Sequence, residues 1–179
     1  TATSFQESLE QFIDSQTNHL SLYQLTIEPN TIFYKKELKL PNEDQIEEME
    51  QLALQILESN GYKQYEVSSW SRPGFESKHN LNYWQFGDFL GLGPGAHSKI
   101  TVGPEIKRFR KIKPLNGYIA KQTIADHTII QGEELDMDLA MNLLRIKDGI
   151  LHDQLGVELP KSFLKKYQLG VEEGLLLED

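Results

Sequence analysis

His19-Leu-Ser-Leu-Tyr-Gln-Leu-Thr-Ile27 sets the architecture of this chain. Leu20, Leu22, Leu25 and Ile27 make it β-rich and mostly apolar, as in a strand buried on both faces. Glu28-Pro29-Asn30 closes it. Upstream, Phe5, Leu9, Phe12 and Ile13 recur at helical spacing and predict one apolar face. Downstream, a Lys-rich loop over residues 30–41 ends at Pro41, and Asn42 with Gln45 has the form of a capping box. Ile46, Met49, Ala53, Ile56 and Leu57 then make a helical stripe that Asn60-Gly61 terminates. Tyr62 to Ser69 reads as the next strand. Helix, strand, helix, strand in that order predicts parallel α/β units.

Further along, Ser71-Arg-Pro-Gly74 is a turn, and Asp88 to His97 reads as a short apolar strand running into a glycine-rich loop. Ile100 to Val102 and Ile106 to Ile112 flank Gly103-Pro104 as a hairpin with a basic second arm. The character changes after Pro114. Gly117 to Lys121, Glu133 to Lys147 and Ser162 to Tyr167 read as helices. The expected boundary lies within residues 113–122, dividing the chain into 1–113 and a mainly helical 114–179.

Composition narrows the function classes. The chain has 179 residues, with 18 Lys and Arg against 27 Asp and Glu, a net charge of −9. That length buries a real core. No apolar run reaches the ~18 residues that span a membrane. Thr1-Ala-Thr-Ser-Phe5 has no signal-peptide pattern and no initiating Met, so a piece of a longer chain is expected. Zero Cys removes disulfides, thiolate metal sites and Cys nucleophiles from these residues, and fits a cytoplasmic protein. The acidic balance opposes general nucleic-acid binding.

Four places carry candidate chemistry. Gly91-Leu-Gly-Pro-Gly95 lets backbone approach a ligand, or simply makes a tight turn; it is neither a Walker A loop nor a full dinucleotide fingerprint. His79-Asn-Leu-Asn-Tyr-Trp84 offers an imidazole able to ligate a metal or haem iron, beside aromatics that stack on a planar ligand. The alternative is a polar turn entering a core aromatic pair. Glu28 and Glu66 sit at or near predicted strand ends, where a barrel keeps its functional face. Lys107-Arg-Phe-Arg-Lys-Ile-Lys113 suits phosphates or porphyrin propionates, or is a solvated hairpin arm.

Four segments together resemble a known family. They are His19 to Thr31, Gly61-Tyr-Lys-Gln-Tyr-Glu-Val-Ser68, His79 to Trp84, and Gly91-Leu-Gly-Pro-Gly-Ala-His-Ser98. In this order and spacing they are similar to the oxygen-independent coproporphyrinogen III oxidase-like family of radical SAM proteins, nearest its haem chaperone branch. The resemblance is strong over residues 1–122 and fainter beyond. It implies an α/β fold: the C-terminal half of a partial (β/α) TIM-like barrel over 1–113, then a small, mainly helical, winged-helix-like domain over 114–179. It also implies S-adenosylmethionine and a 4Fe–4S cluster. The cluster's Cys-x3-Cys-x2-Cys motif is absent here, so the resemblance implies no radical chemistry from this piece alone.

By motif position, the resemblance assigns Leu25 and Thr26 to one wall of the S-adenosylmethionine pocket, and Ala96 and His97 to the other. His79 becomes the haem-associated residue, with Tyr83 and Trp84 shaping its setting. The implied partners are haem or porphyrin and an acceptor haemoprotein, in kind one of the respiratory chain. Two further readings stand beside this one: a true oxidase that decarboxylates porphyrin propionates to vinyls, and a nucleic-acid module built on Lys107 to Lys113. Net charge disfavours the latter.

Overall fold

The computed structural model describes residues 1–36, 38–120 and 124–177. They form two compact units, Thr1–Ser77 and Lys78–Asp179. The first contains α1 (Ala2–Asp14), β1 (His19–Ser21), α2 (Ile32–Lys35), α3 (Glu43–Ser59), β2 (Lys63–Glu66) and β3 (Ser69–Ser71). The start of α3 is the expected capping box. The Gln45 N–H donates to Asn42 Oδ1 at 2.9 Å, and the Asn42 N–H donates to Gln45 Oε1 at 3.1 Å. Helices α1 and α3 bury Leu9, Ala53 and Leu57 together with Tyr62 and Trp70. Removing this apolar surface from water drives the unit together.

The sheet of this unit has the order β1-β3-β2, with both pairings antiparallel. Strands β1 and β2 therefore run in the same direction and are joined through α3, as expected of an α/β unit. They do not adjoin, because β3 lies between them. The intervening strand comes from the segment expected as a single second strand and a turn, and the cause is Trp70. Trp70 sits opposite Leu20 in the register and is buried in the core. Burying that indole brings Ser69–Ser71 into the sheet, so the segment expected as one strand over 62–69 and a turn from Ser71 folds back as a hairpin. The expected strand at 19–27 holds only to Ser21. Beyond it the Leu22 N–H donates to the Ser68 carbonyl at 2.8 Å, and Tyr23 and Leu25 lie exposed.

The second unit contains α4 (Lys78–Trp84), β4 (His97–Val102), β5 (Glu105–Lys111), α5 (Leu115–Ile119), β6 (Ile124–Ile130), α6 (Gly132–Leu143) and α7 (Lys161–Glu172). The hairpin at Gly103-Pro104 forms as read, with Val102 opposite Glu105. Strand β6 pairs antiparallel to β5, an element the helical reading of 114–179 did not contain. Phe86, Ile106, Ile130 and Leu139 form the core, with Leu135, Leu143, Val157, Leu159 and Phe163 packed around them. Residues 113 and 114 lie in this unit between β5 and α5. Lys121 and Gln122, at the far edge of the expected boundary, and Asp179 lie outside the described residues.

Helices α6 and α7 meet at a polar point. The buried Asp136 carboxylate accepts from the Ser162 hydroxyl at 2.9 Å and the Lys166 ammonium at 2.8 Å. The Lys166 hydrogen bond, with help from Ser162 and against the push of burial, holds Asp136 below its ordinary 3.8. The same bond to Asp136 holds Lys166 above its ordinary 10.5, although burial lowers it. A carboxyl depressed on folding adds stability that is whole above its unfolded value and lost as pH falls through its folded one. A raised ammonium adds stability that is whole below its unfolded value and lost as pH rises through its folded one. Thermal melts are expected to be steady at neutral pH and to fall at both extremes. Asp136→Asn flattens the contribution at the acid end; an acid limb as steep as the native one would overturn this assignment.

Candidate functional site

The segment His79–Trp84 forms most of α4, a seven-residue helix with no fully buried residue. Positions 79 and 83 are one turn apart and share a face. The His79 ring meets the Tyr83 ring edge-on, with centroids 4.9 Å apart and planes at 84°. Tyr83 also packs on Phe89 at 4.6 Å and lies 6.5 Å from Trp84. His79 itself is exposed. The structure therefore brings the three expected haem-associated residues into one aromatic group with an open imidazole.

Two residues that the sequence did not single out complete this group. Phe89 is placed by pairing with Lys99 across an isolated bridge. Arg145, just past α6, lays its guanidinium over the Trp84 ring at 4.3 Å. The only sequence signal for Arg145 was a cation near a helix end, which is usually a solvated residue.

The loop after α4 is fixed by a charged node. The Lys99 ammonium, itself buried, donates to the Phe86 carbonyl at 3.0 Å and to Asp88 Oδ1 at 2.9 Å. It also lies 4.4 Å from the Phe86 ring centroid. Asp88 takes further bonds from the Thr101 N–H at 2.8 Å and the Thr101 hydroxyl at 2.9 Å. Burial pushes the Asp88 carboxyl up, but the Thr101 and Lys99 bonds outweigh it and leave it below its ordinary value. This node anchors the backbone that carries Phe89, and through Phe89 it supports Tyr83.

The glycine-rich loop is largely self-bonded. The Gly91 N–H donates to Ser98 Oγ at 2.9 Å, Gly93 to Tyr118 Oη at 3.2 Å, and Gly95 to the Ile112 carbonyl at 2.8 Å. The Ala96 N–H donates to the Gly93 carbonyl, and its own carbonyl accepts from Lys111. These amides build a turn. The reason for glycine is clearest at Gly91, where an added Cβ would lie 2.1 Å from the His97 carbonyl oxygen.

The other candidates are distributed as follows. Leu25 and Thr26 belong to the first unit, exposed and outside any strand; Ala96 and His97 belong to the second, with His97 exposed at the start of β4. Glu28 is exposed, while Glu66 is buried at the end of β2. In the basic arm, Lys107 pairs with Glu105 at 2.7 Å, Arg108 with Asp138 at 2.7 Å, and Arg110 with Asp126. Those three cations serve the hairpin and its neighbours. Among the described residues no group of three His, Cys, Asp or Glu side chains converges as a metal site. No helix among them is long and apolar enough to cross a membrane.

No family model matches the chain. Curated relatives do. The haem chaperone HemW of Buchnera aphidicola subsp. Acyrthosiphon pisum (strain APS) is 37% identical over 169 residues, covering 92% of this chain and 45% of that protein. The haem chaperone HemW of Haemophilus influenzae (strain ATCC 51907 / DSM 11121 / KW20 / Rd) is 39% identical over 145 residues, covering 80% of this chain and 38% of that protein. The chain belongs to the oxygen-independent coproporphyrinogen oxidase-like radical SAM family, in its HemW branch. It spans less than half the length of these HemW relatives. The solved structure of coproporphyrinogen III oxidase (HemN) from Escherichia coli, a radical SAM enzyme, matches with a TM-score of 0.70 at 17% identity. That match covers 100% of this chain and 46% of HemN, and it shows a shared α/β fold with the C-terminal portion of that enzyme.

Proposed function

We propose that this protein is a haem chaperone. His79 binds the haem iron, Tyr83 and Trp84 shape the seat, and the cargo passes to an acceptor haemoprotein, in kind one of the respiratory chain, in the cytoplasm. The observation that carries this reading is the open His79 imidazole, braced edge-on by Tyr83, in a chain whose HemW relatives are named as haem chaperones. An exposed imidazole on an aromatic bed offers iron a ligand and the porphyrin a flat apolar surface. Residues 1–113 form the barrel portion on this reading, and residues 114–179 the C-terminal domain.

The cofactors of the family divide in their fit to this chain. With no cysteine in the sequence, these residues do not fit the thiolate ligation of a 4Fe–4S cluster. For S-adenosylmethionine the residues proposed are the exposed Leu25 and Thr26 in the first unit and Ala96 and His97 in the second. When bound with its cluster, that cofactor supplies a carbon radical. The oxidase alternative draws on the motif resemblance to the family and on a fold likeness at 17% identity.

Haem titration of the full-length protein tests the proposal. The expected result is a Soret-absorbing complex that saturates at one haem, followed by transfer to an apo b-type cytochrome at a rate that rises with acceptor concentration. A rate independent of acceptor would mean simple release and would count against a chaperone. Conversion of coproporphyrinogen to protoporphyrinogen by the cluster-loaded protein would establish the oxidase reading instead.

A further inference from the structure

We propose that Arg145 is a positioning residue for the haem seat, holding α4 from behind through its stack on Trp84. The inference rests on the reading of His79–Trp84 as that seat. Helix α4 is too short to be stable by itself, since isolated helices below about 12 residues are marginal in water. Its orientation must come from its neighbours. His79 and Tyr83 lie on one face, whereas Trp84, five residues after His79, is turned about 140° from it. The indole therefore points away from the open imidazole. Among the described residues the Trp84 Nε1–H is buried with no hydrogen-bond partner. What seats this ring is its face, and on that face lies the Arg145 guanidinium at 4.3 Å.

Arg145 is a firm point to hang a helix on. It lies two residues past the end of α6, and its own N–H donates to the Asn142 carbonyl at 3.1 Å. Helix α6 is held by the fully buried Leu139 and by the Asp136 bonds to α7. Packing between α4 and α6 thus has a rigid side and a side that needs holding. A rotation of Trp84 turns α4 about its axis and carries Tyr83 off Phe89 and His79 off its bearing. On this inference Arg145 acts on haem through Trp84, which gives the helical C-terminal elements a part in the binding site.

The test is a haem titration of the full-length protein and its Arg145→Leu and Arg145→Lys variants, with circular dichroism to confirm folding. Arg145→Leu is expected to weaken haem binding roughly fivefold and to shift the Soret band, while Arg145→Lys stays within roughly twofold of the native protein. In a Trp84→Leu background, Arg145→Leu is expected to add nothing further. Native affinity with a native Soret band in Arg145→Leu overturns the inference, as do equal losses in the Leu and Lys variants or additive losses with Trp84→Leu. Should Arg145→Leu fail to fold, Arg145→Gln takes its place in each comparison. If the native protein takes up no haem, or His79→Ala binds it unchanged, the haem reading itself falls. If His79→Ala loses haem while Arg145→Leu keeps it, only the role of Arg145 falls.

Discussion

His79→Ala in the full-length protein is expected to lower haem affinity at least about tenfold, or about 1.4 kcal/mol. The same change is expected to alter the Soret spectrum and leave the melting temperature within about 2 °C of native, since solvated surface positions contribute little to stability. The imidazole is exposed and touches Tyr83 only through its ring, so its removal opens no cavity. On the proposed function, iron in contrast loses a nitrogen ligand that alanine has no means to replace. His79→Met restores part of the binding, because a thioether also ligates haem iron. Titration followed by Soret absorbance reads both variants. Equal affinity for the native and alanine proteins would remove His79 from the site and leave the aromatic group with a purely structural role.

Gly91→Ala acts through space rather than ligand chemistry. A methyl group at residue 91 would stand 2.1 Å from the His97 carbonyl oxygen and 2.9 Å from the His97 nitrogen. Those are backbone atoms at the start of β4, so no side chain is available to swing away. The loop must open, and the bond from the Gly91 N–H to Ser98 Oγ goes with it. The expected loss of stability is about 3 kcal/mol, at the upper end for overpacking a fixed site. Gly103→Ala makes the useful comparison. Residue 103 has nothing within 4 Å of a built Cβ but a φ of +58°, so alanine there costs only about 1 kcal/mol of left-handed strain. Urea midpoints for the two variants check the ranking. A Gly91→Ala protein as stable as Gly103→Ala would mean that the loop is softer than its bonding indicates.

Local rules were readable in the residues, and neighbour-dependent ones were not. The Asn42 and Gln45 pair announced the start of α3, and Gly103-Pro104 announced the hairpin, because both are settled within four residues of chain. The fold-back at Val67-Ser68 has no Gly or Asn to mark it; only Trp70 seeking the core reveals it. Strand β6 hid for a related reason. Its residues are exposed save Ile130, so it lacks the alternation that would betray it. At the candidate site, His79, Tyr83 and Trp84 were legible as a motif. Phe89 and Arg145 were not, since their roles arise from sequence-distant contacts across a bridge and a helix packing.

Strand β1 stands at the end of its sheet, and among the described residues no strand pairs with its outer side. Directly after it runs Leu22-Tyr-Gln-Leu-Thr-Ile27, six residues without a charge, a proline or a glycine. A bare rim of amides and carbonyls next to such a hexamer is a template for intermolecular stacking. Within the described residues that margin is a place where a further strand can add, while the buried indole and leucines behind it hold the unit together.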